Sequence, residues 1–180
     1  MQKKTAGLHK WSENADIAPM AQSSMNSTIH AFGPCSPQEV DAALAQAERI
    51  AKQRGQKMTR IRRKVLQLLL ESANPSKAYD LLSKLDGEGA AKPPTIYRAL
   101  DFLQEVGLAH KIESLNAYVA CGHAAHKHAA IFLICTICGR AEELHTVATL
   151  SALQAETNAA SFEMAHATIE AQGTCRNCRA

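Results

Sequence analysis

Four cysteines carry the clearest chemistry in this chain. Cys135 and Cys138 form one Cys-x-x-Cys pair, Cys175 and Cys178 form a second, and 36 residues lie between the pairs. A two-residue spacer lets both sulfurs of a pair face one ion, and two such knuckles complete a tetrahedral thiolate shell. The turn-formers Gly139 and Gly173 flank the pairs. Such a shell leaves no coordination position open, so it staples a fold and does not catalyse. Redox dithiols or an iron–sulfur cluster would use the same residues; the preference of zinc for closed tetrahedral thiolate sites makes structural zinc the expected occupant. Binding of this kind is worth on the order of 10 kcal/mol in a small domain, comparable with the stability of a whole fold.

A second group is more scattered. His110 and Cys121 precede a histidine-rich stretch, His123, His126 and His128, and Glu142 and Glu143 follow the first cysteine pair. Mixed nitrogen, sulfur and oxygen ligands with one thiolate suit Zn²⁺ and disfavour harder ions such as Mn²⁺. Spacing alone leaves open whether these residues converge, since a strand histidine is commonly an ordinary surface residue.

The elements that must position these groups follow from periodicity. Ser36 is placed as an N-cap with Pro37 in the first turn, and Val40, Leu44, Ala47 and Ala51 recur on one helical face until Gly55. Thr59 caps a second helix with Ile61, Val65, Leu68 and Leu69 inward and its basic residues outward, stopped by Asn74 and Pro75. A third helix, Lys77 to Leu85, sets Tyr79 and Lys84 beside Ala78, Leu81 and Leu82, and Gly87 and Gly89 make a loop. The fourth follows Lys92, Pro93 and Pro94, with Ile96, Ala99, Leu100, Leu103 and Val106 on one face and Thr95, Arg98 and Asp101 on the other. After Gly107, alternation over Leu108 to Glu113 and Ala117 to Cys121, joined by Ser114, Leu115 and Asn116, reads as a hairpin. Helices followed by a hairpin describe a winged helix-turn-helix.

Beyond the histidines, Ile131 to Ile134 and Arg140 to Leu144 read as strands, Thr146 to Ala159 as a helix with Val147, Leu150 and Leu153 inward, and Phe162 to Ala171 alternates weakly. The expected fold is α+β: residues 37–121 a winged-helix DNA-binding domain, 122–128 a hinge, and 129–180 a small zinc-stapled, metal-binding dimerisation domain. Large apolar residues are sparse in that last segment, so it needs a staple, a partner, or both. Residues 1–36 are polar and rich in Ser, Asn and Gln, and read as a disordered extension. Met25 is an alternative start, and Cys35 reads as an incidental thiol.

Composition narrows the function classes. The 180 residues carry a formal net charge of only +3, but no acid interrupts the eight basic residues from Arg49 to Lys64. That run either meets phosphates or is simply a solvated helix face. No stretch approaches the roughly 18 apolar residues of a membrane span, and no apolar signal region opens the chain, so a cytoplasmic protein is expected. Aromatic residues make up 4% of the chain. That is too few for stacking platforms on single strands and leaves the duplex as the nucleic-acid partner.

With those motifs in place, the chain resembles the zinc uptake regulator branch of the ferric uptake regulator family over roughly residues 40 to 178. The resemblance lies in Ala78-Tyr79-Asp80-Leu81-Leu82, in Lys92-Pro93-Pro94-Thr95-Ile96-Tyr97-Arg98-Ala99-Leu100-Asp101-Phe102-Leu103, in His110-Lys111-Ile112-Glu113-Ser114, and in the paired knuckles. It implies a homodimer with two Zn²⁺ per chain, one structural and one regulatory, whose zinc occupancy orients two winged helices on double-stranded operator DNA to repress zinc-import genes. By position in the motif, His110, Cys121, His128 and Glu143 correspond to the sensing ligands. His128 is preferred over His123 and His126, and Glu143 over Glu142, on the family's spacing from Cys135. Tyr79 and Arg98 correspond to residues that read bases, with Thr95 and Tyr97 nearby; an Arg fork suits a guanine edge. A core role for Tyr79 is the competing reading.

Some features depart from the pattern. Ala124 and Ala125 thin the histidine cluster, so a third metal site is not assumed, and His166 is only a weak extra candidate. Thr59-Arg60-Ile61-Arg62 replaces the usual Thr-Pro-Gln-Arg entrance to the second helix. Within the family, the sensed signal is alternatively iron or peroxide, both disfavoured by a cysteine ligand. Outside it stand a zinc hydrolase using Glu142 or Glu143 as base, which lacks a three-ligand motif on a helix, and a zinc-binding interaction module, which has no use for the Arg98 helix. Neither an enzyme nor a small-molecule substrate is expected.

Overall fold

The computed structural model describes residues 28–31, 34–85, 92–122, 130–165 and 167–179. It opens with a short strand, β1 (Thr28–Ala31), which lies within the segment expected to be a disordered extension. Thr28 and Ile29 are β-branched and suit a strand. Its pairing partner lies far along the chain, however, and local composition cannot register that.

The first helix, α1 (Pro37–Gln53), starts as its sequence requires. The Ser36 side chain accepts from the Glu39 amide at 3.4 Å, and Glu39 Oε2 accepts from the Ser36 amide at 2.8 Å, a reciprocal capping box. Val40, Leu44, Ala47 and Ala51 are its buried face. Helix α2 (Arg60–Leu70) is capped by the Thr59 side chain and buries Val65, Leu66 and Leu69; it ends before Asn74 and Pro75 are reached. Helix α3 (Ala78–Ser83) is short and buries Ala78 and Leu81. Helix α4 (Pro93–Glu105) starts on its two prolines and buries Ile96, Ala99, Leu100, Phe102 and Leu103. Gly107, at φ +68°, reverses the chain after it, and the Leu108 amide closes back on the Leu103 carbonyl at 2.7 Å.

Next comes the wing, an antiparallel hairpin of β2 (Ala109–Ile112) and β3 (Ala117–Ala120). Ser76 exchanges both backbone hydrogen bonds with Tyr118, at 2.9 and 2.8 Å, and so ties the wing to the turn before α3. Strand alternation gives the wing two covered faces. Ala109, Tyr118 and Ala120 join the helical core, whereas Ile112 and Val119 pack with Ala130, Phe132, Ile134 and Ala141 of the second half.

That second half is a mixed sheet with one helix. Strands β4 (Ala130–Cys135) and β5 (Ala141–His145) pair antiparallel, β6 (Thr168–Gly173) runs parallel to β4, and β1 completes the order β1-β5-β4-β6. Helix α5 (Val147–Ala159) joins β5 to the segment before β6. Val147, Leu150 and Leu153 were expected to face inward, and the structure corrects this: α5 has no buried residue, and Val147 is 81% exposed. Among the described residues the stripe is covered only in part: Leu150 and Leu153 are half-buried, and Val147 is bare. The loop expected at Gly87 and Gly89, the histidine stretch at His123, His126 and His128, His166, and the alternative start at Met25 lie outside the described residues.

Candidate metal centres and the helix face between α3 and α4

The cysteine pairs meet because β4 and β6 run in parallel register, with Cys135 opposite Gly173. Cys135 ends β4, and Gly139, at φ +71°, lets the chain turn so that its amide donates to the Cys135 carbonyl at 3.0 Å. Cys175 precedes and Cys178 ends a 3-10 turn, Arg176–Cys178. The four sulfurs lie within 4.8 Å of one another, and Cys138 Sγ is 3.8 Å from Cys175 Sγ. Zinc–sulfur bonds of about 2.3 Å in a tetrahedron require a sulfur–sulfur edge of about 3.8 Å, so the donor set fits that ion.

Its electrostatics fit as well. Backbone amides of Cys138 and Cys175 aim at Cys135 Sγ, the latter from 3.4 Å, and lower its thiol to about 6. A thiolate therefore stands ready at neutral pH. Cys178 moves the other way, pushed up to about 12 by hydrogen bonding with the Cys175 and Cys138 thiols. Four sulfurs this close cannot all ionise without a cation among them.

The second cluster is built across the two halves. On β2, alternation puts His110 on the same face as Ile112, the face that packs on the second sheet, and Cys121 continues that face beyond β3. On β5, Glu143 falls on the same side as Ala141 and opposite Phe132, while Glu142 falls on the other side. Ligand atoms of His110, Cys121 and Glu143 come within 4.8 Å of one another. His110 Nε2 is 3.6 Å from Glu143 Oε1, and the imidazole rests edge-on against Phe132 with ring centroids 5.8 Å apart. Glu143 has 0% exposure and is the one buried charged side chain among the described residues. A carboxylate removed from water costs several kcal/mol unless cations or donors surround it. One nitrogen, one thiolate and one carboxylate make a zinc-type donor set with room in the ligand count for a fourth. His128, the sequence's choice for that place, lies outside the described residues.

The α3–α4 face holds the remaining candidates. Tyr79 is 67% exposed, so it is not a core aromatic, and Tyr97 is 40% exposed. Arg98 is exposed beside Tyr97, and Thr95, at the start of α4, is half-buried. Ile96, Ala99 and Leu100 bury the opposite side of that helix. The basic run is less available than its composition suggests. Arg62 lies 3.6 Å over the Phe102 ring and donates to the Lys57 carbonyl at 2.6 Å, Arg63 pairs with Glu48 at 3.1 Å, and Arg54 donates to the Glu105 carbonyl at 3.2 Å. Those three of the eight basic residues fasten the helices to one another.

Sequence reasoning missed Phe132. It sits in an unbroken apolar run, and nothing local marks it as the residue between the two halves.

Comparison with known proteins gives a consistent result. Residues 53–178 match the model of the Ferric uptake regulator family. The chain is 41% identical over 138 residues to the Zinc uptake regulation protein of Escherichia coli K12, covering 75% of this chain and 80% of that relative. It superposes on a structure described as a zinc uptake regulator complexed with zinc and DNA, with TM-score 0.74, 39% identity, and coverage of 77% of this chain and 94% of the other. Holo XcZur gives TM-score 0.72 at 41% identity, covering 77% and 97%.

Proposed function

The chain belongs to the ferric uptake regulator family, and from that premise we propose that it is a zinc-responsive transcriptional repressor that binds operator DNA when zinc-loaded and represses zinc-uptake genes. The observation that carries the reading is the cluster of His110, Cys121 and Glu143, in which two ligands belong to the wing and one to the second sheet. Bound there, zinc supplies a cross-link between the halves and charge for the buried carboxylate. His128 is the proposed fourth ligand. The chain's own part is mechanical. His110 on β2 and Cys121 just past β3 lie at the base of the hairpin, Phe132 fixes the imidazole edge-on, and the wing is rigidly joined to α4 through the helical core. Orientation of the second half thus fixes where Arg98, Tyr97, Thr95 and Tyr79 lie against a duplex. An Arg fork and a tyrosine hydroxyl suit base edges in the major groove.

Two zinc ions per chain are proposed, the second in the four-cysteine shell, which has a structural role only. A homodimer is proposed on the apolar face of α5, where Val147 is 81% exposed and Leu150 and Leu153 are half-buried. No described helix is long and apolar enough to cross a membrane, in keeping with a proposed cytoplasmic site of action. The proposal includes no enzymatic role, and the thiolate in the sensing set favours zinc over iron or peroxide as the signal.

The test is a mobility shift on a zinc-import promoter duplex across a buffered free-zinc series. Zinc-dependent binding by wild type, with C121S retaining one zinc per chain of two and losing the response, upholds the reading. Binding that ignores zinc overturns it. In the same series V147E should sediment as a monomer; an unchanged dimer would remove α5 from the interface.

A further inference from the structure

The register of the second sheet places three residues in one row: Glu143 on β5, Phe132 on β4 and Glu170 on β6. Residues opposite each other across a ladder share a face, and this face meets the wing. Glu143 and Phe132 engage His110 near the base of the hairpin. Glu170 engages its tip: Oε1 accepts from the Glu113 amide at 2.7 Å, and Oε2 accepts from the Ser114 amide at 3.2 Å. Burial alone would raise the Glu170 carboxyl, yet the Ser114 side chain and those two amides hold it below its usual range.

We propose that Glu170 is a positioning residue, a carboxylate clamp that seats the wing tip on the second sheet and so stabilises the orientation of the two halves that operator binding requires. The inference rests on the functional reading above. Geometry separates the clamp from a mere turn-stabilising contact. The hairpin has its own register from Ala109↔Ala120 to Ile112↔Ala117, and its tip amides would be hydrated if the halves parted. Forming the two bonds therefore requires the second half to be docked. Between the clamp and the metal cluster, Ile112 and Val119 pack on Phe132 and Ile134. The wing thus meets the second sheet at its base through His110, Cys121 and Glu143, which would hold zinc, and at its tip through an anion on amide donors, a charge-assisted arrangement. Because both act on one equilibrium, loosening the tip must weaken zinc binding at the base by the same factor that zinc loses in promoting closure.

The experiment uses the full-length protein with structural zinc, as wild type, E170A and E170Q, on the same promoter duplex across the same free-zinc series. Amide hydrogen exchange of Glu113 and Ser114 is followed by NMR in the zinc-saturated state. In E170A both amides should exchange faster, and the free zinc for half-maximal DNA binding should rise about tenfold, the scale of hydrogen bonds to a charged group. E170Q keeps one oxygen acceptor and should fall between. A variant that does not retain its structural zinc is set aside, and the other carries the comparison. Unchanged exchange in the variant overturns the contact. Faster exchange with an unchanged zinc midpoint overturns the positioning role. Should wild type bind the duplex without any zinc dependence, the functional reading falls, and the clamp is then judged on exchange together with the variant's DNA affinity: a loss of about tenfold upholds it, and equality overturns it.

Discussion

The helical half and the mixed sheet use different means to hold their shape. Among the described residues, the core of the first half gathers twenty buried residues from four helices and the wing. Six make up the core beneath the second sheet, and two of those, Ile112 and Val119, are lent by the wing. Helix α5 contributes none. The first half is thus a conventional hydrophobic assembly. The second is bounded by four sulfurs at one end, a borrowed apolar face on one side and an open helix on another. A segment this thin in apolar burial must be completed from outside: by an ion, by the neighbouring half, or by a second chain.

The second half is most vulnerable at its sulfurs. C175A should cost on the order of 10 kcal/mol, the scale of structural zinc binding, and unfold the sheet while leaving the helical half intact. Circular dichroism with zinc analysis would show partial loss of structure and of both ions, since Glu143 lies on that sheet; complete unfolding would mean that the first half leans on the second. The reciprocal cut is L100A, at a residue with 0% exposure in α4. About 3 to 5 kcal/mol of destabilisation is expected, seen as a lower denaturation midpoint with zinc content at the cysteines unchanged.

Smaller effects sharpen the contrast within the first half. T59A removes the side-chain cap of α2 and should cost about 1 kcal/mol in chemical denaturation. The smallest concerns pH. Hydrogen bonds from the Ser36 side chain and then its backbone hold the Glu39 carboxyl below its usual range. The cap contribution is therefore complete above the carboxyl's unfolded pKa and is lost as pH falls through the lower folded one. NMR titration of Glu39 should show the depressed midpoint, and S36A should return it toward the ordinary value.

Legibility in the sequence follows the same division. Val40, Leu44, Ala47 and Ala51 were readable because an amphipathic helix writes its core face locally, and Ser36 and Thr59 because caps are local chemistry. The cysteine shell was readable because spacing within each pair limits what the sulfurs can do. Helix α5 shows where this fails: periodicity reveals that Val147, Leu150 and Leu153 form a stripe, but not whether anything covers it. Strand β1 was invisible because its partner is distant in sequence. The mixed cluster was half-legible. Its residue types pointed to a metal, and the family resemblance chose Glu143 over Glu142; the strand register then gave a reason, since only Glu143 shares the wing-facing side with Ala141 and Phe132. Glu170 left no trace, being one acid in a weakly alternating strand whose partners are backbone amides.

An open sheet has two edges, and each edge is an array of backbone groups able to template another strand. Here β1 occupies the outer side of β5, so β6 forms the opposite margin of the described sheet. The described sheet therefore ends on β1, a strand of four residues, and on β6, a strand of six, so the margin that β1 presents is the shorter of the two. A short edge strand offers few backbone groups to a second chain and so limits edge-to-edge growth on that side.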